Sequence, residues 1–330
     1  MGLLFNWLVA KITVLLLRCA CAAAPWQQEH KAGPPLPEEV IETVRLQIFL
    51  DRNNYGPGVI DGIRGFFTNR AAKQYSLDKR VNLLDDKTTL KLLRRAVRQP
   101  FTQHEVTALD MEFVGPLPKT PQEQSKQRFL CYETVVEFVA ERYKTTPNFL
   151  RLCNPEVDLR KIVPGTRLWV PNVVPFKIEQ LRRMYRLPKN DLLAKNTVDV
   201  SLRERFLRVQ DPKGQVMAYF PITPGALHVR PPLGRWRVLG IYTLPVFRWD
   251  DTLLKEGVRS ENAYILPPGP NSPVGVVWAG LNRDGIGIHG TNSPETIGRA
   301  TSSGCIRLSN WDAVTFTQLV SDGSVVIIRK

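Results

Sequence analysis

The sequence predicts a mainly β C-terminal half, a β-sandwich with one helix, behind two small N-terminal modules, one α-helical and one α+β. Three observations carry this. Past Lys189-Asn190, short apolar runs alternate with polar residues and recur between turn signals, beginning with Val198, Val200 and Leu202. Near the start, Val40, Val44 and Ile48 recur at helical spacing. Between these ends, Pro- and Gly-bearing stretches divide the chain into pieces, and 330 residues correspond to about two domains.

The first residues read as an address. Leu8 to Ala10 and Ile12 to Leu17 form an apolar stretch ahead of the small residues Ala20 to Ala24, which predicts a signal peptide over 1–24 with cleavage near Ala22 to Ala24. The run is too short for a membrane-spanning helix. The expected location is therefore outside the cytoplasm, in the periplasm or cell envelope. A net charge of +14 and a pI near 9.7 imply an acidic partner. Zinc-finger spacing, a helix-turn-helix signal and an aromatic ribonucleoprotein pattern are all lacking, so nucleic acid is set aside in favour of an anionic envelope polymer. Of the five cysteines, Cys131, Cys153 and Cys305 remain after cleavage, and an odd count leaves at least one free thiol. A Cys131–Cys153 disulfide would spare Cys305; two further free thiols are the alternative.

A Pro-rich linker, 25–37, leads into a helical segment, 38–100. Its first helix starts at Glu38 and ends by Asn53-Asn54, and a second spans Thr68 to Tyr75. Between them lies the glycine-rich turn Tyr55 to Gly65, with Asp61-Gly62. This helix, loop and helix resemble the small peptidoglycan-binding repeat of wall hydrolases and transpeptidases. Leu77 to Arg98, charged and leucine-bearing, is a further expected helix, and Gly115 to Pro118 with Pro121 marks a linker over 101–127. Within 128–172, Phe138 to Tyr143 reads as a helix, Thr145-Thr146-Pro147 as a cap, Asn154-Pro155 as a break and Val163-Pro-Gly to Pro171 as a turn into a strand. The pattern resembles a LysM module. A basic linker, 173–195, follows.

The C-terminal domain, 196–330, reads as a hairpin at Asp211 to Gly214, with strands around Trp236–Val238, Tyr264–Leu266, Val276–Trp278, Ile286–Ile288, Ile306–Leu308 and Val325–Ile328, and a helix near Trp311 to Val320. Its chemistry concentrates at the end of one strand. Ile286 and Ile288 alternate with small residues, so His289 sits where a strand ends, and the polar loop Asn292 to Thr301 returns the chain to Ser302-Ser-Gly-Cys305. A tight turn there aims backbone N–H groups at one point beside the thiol. Cysteine with histidine is the minimal kit for acyl transfer, because the thiolate attacks and the imidazole moves the proton. A metal site would have to draw on His228 and carboxylates, since no second cysteine lies nearby, so neither metal nor cofactor is expected.

His289-Gly290-Thr291 followed by Ser302-x-Gly304-Cys305-Ile306-Arg307 resembles the signature of the L,D-transpeptidases, the YkuD-type enzymes of bacterial peptidoglycan. Gly269 to Gly275 with Trp278 and Leu281, and Pro232-x-Gly234-x-Trp236-Arg237-Val238, extend the likeness upstream. The resemblance implies that Cys305 attacks a tetrapeptide stem and expels D-Ala, with an amine resolving the acyl-enzyme. It implies that His289 moves the proton and that the Gly290 carbonyl orients it. Ser303, Gly304 and Cys305 would supply the oxyanion pocket, and Arg307, Thr291, Ser302 and Trp278 would meet substrate. Expected partners are peptidoglycan stem peptides and glycan strands, with carbapenem-type inhibitors. Two alternatives stay open: an L,D-carboxypeptidase using the same pair with water, and a non-catalytic wall-binding protein. The segment Tyr264 to Val276 is expected to wall an acceptor cleft beside His289.

Overall fold

The computed structural model describes residues 33–83, 86–225, 231–256, 258–299 and 304–330. The expected signal peptide and the linker up to residue 32 lie outside them. Helices α1 (Glu38–Arg52), α2 (Phe66–Lys79) and α3 (Asp86–Ala96) open the described chain. Glu38 and Glu39 in the first turn of α1 and Arg52 in its last complement the helix dipole, while Val44, Ile48 and Leu50 are buried. The turn between α1 and α2 is organised by one buried carboxamide. Gln47 Nε2 donates to Asp61 Oδ1 at 3.0 Å, and Oε1 accepts from the N–H groups of Asp61 and Gly62 at 3.1 and 3.0 Å.

The stretch 101–127, expected as a linker, opens with strand β1 (Phe101–Glu105). It continues through α4 (Ala108–Met111) and α5 (Pro121–Gln124). After α6 (Val135–Arg142) and α7 (Pro147–Cys153), strand β2 (Arg167–Pro171) pairs antiparallel with β1, Gln103 opposite Trp169. Thr134 and Thr146 cap the two helices by accepting from Glu137 N–H and Phe149 N–H. Asn154, read from sequence as a break, also ties α7 to the sheet. Its Oδ1 accepts from Trp169 N–H at 2.7 Å, and its Nδ2 donates to the carbonyls of Leu150 and Trp169. Strand β1 escaped the sequence reading because four of its five residues are polar and only Phe101 is buried.

The remaining strands are β3 (Tyr185–Arg186), β4 (Thr197–Ser201), β5 (Phe206–Gln210), β6 (Val216–Pro221), β7 (Gly234–Thr243), β8 (Phe247–Trp249), β9 (Tyr264–Leu266), β10 (Val277–Leu281), β11 (Gly287–His289), β12 (Ile306–Arg307) and β13 (Val325–Arg329), with helices α8 (Asp251–Glu256) and α9 (Asn310–Thr317). Where a sandwich of two sheets was expected, nine strands form one curled sheet in the order β12-β11-β10-β7-β13-β4-β5-β6, with β3 on β7. The long strand β7 is the reason. Residues 234–237 pair with β13, whereas 238–243 pair with β10, so one strand serves both halves. Strands β8 and β9 form a separate hairpin that carries α8.

Gly33–Lys330 forms one compact unit, and the contacts that make it so are specific. The turn after α1 adds to the edge strand β6, with Gly56 N–H on the Tyr219 carbonyl at 2.7 Å and Tyr219 N–H on the Asn54 carbonyl at 2.8 Å. Lys144 pairs with Asp51 at 2.8 Å. Leu130 N–H donates to the Pro268 carbonyl at 2.9 Å, and Asn271 Nδ2 donates to the Cys131 carbonyl and to Glu137 Oε1 at 2.7 and 2.9 Å. The basic linker before β4 is likewise fastened, since Arg186 on β3 pairs with Asp322 at 2.7 Å. Cys131 and Cys153 are both free thiols.

Candidate active site

His289 ends β11 and is only 4% exposed. Strand β10 lies antiparallel beside it with Trp278 directly opposite, and the two rings stack at 5.6 Å with 24° between their planes. On the other side β12 runs parallel, and Arg307 is the register partner of His289. The backbone of Arg307 is fixed in turn by a bridge to Thr223, with N–H to carbonyl distances of 3.0 Å in both directions.

The imidazole is oriented by the main chain. Its Nδ1 lies 2.6 Å from the Gly290 carbonyl, and because a carbonyl only accepts, Nδ1 carries the hydrogen. In the neutral ring Nε2 is then the bare nitrogen, available to take a proton. Burial lowers the His289 pKa to about 4, the Arg307 charge pushes the same way, and the Gly290 carbonyl partly opposes them. The ring is therefore neutral at physiological pH, in the form a general base requires.

Cys305, half-buried, lines the same cleft as His289, Trp278 and Arg307. It follows Gly304, whose φ of +92° is a left-handed conformation that a side chain would strain, which accounts for a glycine just before the thiol. The thiol donates to the Gly285 carbonyl at 3.3 Å. Burial pushes its pKa up, while the Gly287 N–H and the Arg307 charge act in the opposite sense. At rest both partners are neutral, so ionisation of the sulfur has to be coupled to proton transfer.

The cleft has a volume of about 990 Å³ and a largely apolar wall. Of the segment expected to wall it, Tyr264 to Val276, Pro273 and Val274 reach it and the other residues do not line it; 268–271 pack against Leu130 and Cys131 instead. A further wall comes from residues 245–254 and Arg259, including Val246, Trp249 and Leu253. That segment is held by Asp250, fully buried, which accepts from the N–H groups of Leu253 and Ser260, the Ser260 hydroxyl and Arg248. Burial alone would raise the Asp250 pKa, but these donors hold it well below the usual carboxylate range. Sequence reading missed this wall because Phe247-Arg-Trp249 is too short to count as a strand without its partner β9.

Of the residues expected at the site, the structure brings together Cys305, His289, Gly290, Arg307 and Trp278, with Gly304 beside the thiol. Thr291 is buried and is not among the residues lining the cleft; its N–H donates to Asn310 Oδ1 at 3.2 Å. Ser302, Ser303 and His228 lie outside the described residues. Among the described residues, no group of three or more His, Cys, Asp or Glu side chains converges so as to hold a metal ion.

A thiol and a neutral, main-chain-oriented imidazole in one cleft at the rim of a curled sheet are the groups that cysteine acyl chemistry uses. Residues 195–328 match the YkuD family, the L,D-transpeptidase catalytic domain, and this part of the chain is such a domain. The YkuD protein of Bacillus licheniformis is 25% identical over 198 residues, spanning 58% of this chain and 92% of that one. The YqjB protein of Bacillus subtilis is 36% identical over 107 residues, 28% of this chain and 60% of its own length. Among solved structures, L,D-transpeptidase 3 from Mycobacterium tuberculosis aligns over 52% of this chain and 76% of its own, at 16% identity and a TM-score of 0.34.

Proposed function

We propose that Cys305 is the nucleophile and His289 the general base of peptidoglycan L,D-transpeptidation. The observation that carries this is the Nδ1 bond to the Gly290 carbonyl, which leaves Nε2 bare in the cleft that holds the thiol. Nε2 takes the thiol proton as sulfur attacks the carbonyl of the third stem residue, then returns it to the departing D-Ala amine. Backbone N–H groups at Ser303, Gly304 and Cys305 receive the oxyanion. Arg307, which lines the cleft, holds a stem carboxylate. An amine entering along the wall of 245–254 resolves the thioester, and that wall keeps bulk water from it. Purified tetrapeptide muropeptides are expected to give cross-linked dimers with loss of D-Ala, read by mass spectrometry. Accumulation of tripeptides with no dimer, even at high acceptor concentration, would instead establish a carboxypeptidase.

The protein acts, on this reading, outside the cytoplasm on wall polymer, and the segments ahead of residue 173 contribute to holding it there. Supporting this are the net charge of +14, the Asp61-Gly62 turn between α1 and α2, and the two-stranded sheet β1–β2 with α6 and α7 between its strands, an arrangement like that of a LysM module. The full chain is expected to co-sediment with purified sacculi at low salt, with retention falling as salt rises. Protein recovered from the envelope should begin after residues 22–24. Full recovery in the supernatant at low salt, or a wall-free protein that keeps Met1, would refute the reading.

A further inference from the structure

The strongest unassigned feature is a buried polar chain that crosses from the N-terminal α+β segment to the back of the histidine. Asn310, the first residue of α9, is completely buried. Its Oδ1 accepts from the N–H groups of Val276 and Thr291 at 3.0 and 3.2 Å. Its Nδ2 donates to Glu141 Oε1 at 2.8 Å. Thr291 directly follows Gly290, whose carbonyl sets the His289 tautomer, so the carboxamide pins the peptide that orients the base. The fit is close on that side: a Cβ at Gly275 or Gly290 would run into Asn310 Oδ1, which explains why both positions are glycine.

A carboxamide is nearly symmetric in shape, so packing alone does not decide which end faces the two N–H groups. The two N–H groups call for the oxygen, and the group at the other end either reinforces that orientation or opposes it. There, Glu141 of α6 is 6% exposed and presents an oxygen; the Pro270 carbonyl, at 3.5 Å, is the longer second acceptor. An acceptor at that place holds the amino end of Asn310, and so anchors the oxygen against Val276 and Thr291. We propose that Glu141, which lies outside the catalytic domain of residues 195–328, is a positioning residue for His289, acting through Asn310 and the Gly290–Thr291 peptide. The N-terminal segment is then part of the catalytic apparatus as well as an attachment to it. Burial raises Glu141 to about 8, with Tyr132 and Asn310 acting against the rise and Glu137 and Glu295 adding to it. The carboxyl therefore keeps its proton at neutral pH, and glutamine is its closest substitute. Neighbouring contacts hold α6 in place, since Asn271 Nδ2 donates to Glu137 Oε1 and Leu130 N–H to the Pro268 carbonyl.

The proposal rests on His289 acting as base toward Cys305, and its test separates the two ideas. Full-length wild-type, Glu141→Gln and Glu141→Leu proteins are reacted with a carbapenem, and the adduct on Cys305 is followed by intact mass, each protein well below its own melting temperature. Glu141→Leu is expected to lower the maximal acylation rate about tenfold with little change in the half-saturating concentration, the mark of a misplaced catalytic group. Glu141→Gln, which keeps an acceptor toward Asn310, is expected to stay within about threefold of wild type. A purely structural role would lower the melting temperature and leave the maximal rate of folded protein unchanged. Wild-type acylation with an undiminished maximal rate in Glu141→Leu overturns the proposal alone, as does an equal loss in Glu141→Gln. Absence of any Cys305 adduct on the wild-type protein overturns it together with the proposed chemistry.

Discussion

Cys305→Ala protein is expected to form no acyl-enzyme: a carbapenem that adds its mass to wild type leaves the variant unlabelled, and cross-linking of muropeptides falls by at least about 10⁴-fold. The fall is that large because the nucleophile has no understudy in the cleft. Cys153 is fully buried, and burial alone pushes its thiol up to about 12. Cys131 is also raised by burial, and its carbonyl is engaged by Asn271. Cys305 shares the upward push, yet it alone among the described cysteines lines the cleft with His289 and has Arg307 and the Gly287 N–H acting to lower it. The fold should survive, since removing one half-buried sulfur costs about 1 kcal/mol or less, and a melting temperature within a few degrees of wild type checks this. Labelling of the variant at Cys131 or Cys153, or undiminished cross-linking, would overturn the assignment.

The parts of this fold that were legible in the sequence are those in which local pattern and tertiary burial agree. Val198 and Val200 of β4 and Leu207 and Val209 of β5 alternate with polar neighbours and are buried in fact, so a period of two located them, while β13 stands out as the continuous apolar run Val325–Ile328. The hairpin at Asp211 to Gly214 was legible for the same reason, through its turn chemistry: Asp211 Oδ1 accepts from the N–H groups of Lys213 and Gln215. The curled sheet was not, because the change of partners along β7 is set by β13 and β10, which lie elsewhere in the chain. Strand β1 was missed because four of its five residues are polar and its partner β2 is distant in sequence, and β8 because it has only three residues, although its partner β9 was read at Tyr264–Leu266. At the site, residue type and spacing singled out Cys305 and His289, and the family resemblance singled out Gly290. Asn310 and Glu141 were not: they lie 169 positions apart, and an Asn at a helix start reads as a cap until its buried partners are seen.

His289→Ala is expected to lower the rate of Cys305 acylation at neutral pH by about 10²- to 10⁴-fold, the range of a positioned general base. The electrostatics of the resting site argue for the upper part of that range. In a preformed thiolate–imidazolium pair the histidine pKa is raised and the thiol pKa lowered; here each is shifted the other way, His289 down to about 4 and Cys305 upward. The thiol is consequently protonated at neutral pH, and among the described residues lining the cleft His289 is the only histidine to take the proton. The pH dependence carries the sign. Since the neutral base persists down to about 4, wild-type acylation should hold across the ordinary histidine range near 6.5 and decline only below it. In the variant the residual rate should climb about tenfold per pH unit until the thiol ionises by itself above its ordinary range, so the gap to wild type narrows in alkali. Ultraviolet thiolate absorbance, taken as wild type minus Cys305→Ala, should be absent at neutral pH. A strong thiolate signal there, or a variant whose deficit does not shrink as pH rises, would show that the pair is ionised at rest and that His289 acts as a counter-ion instead of a base.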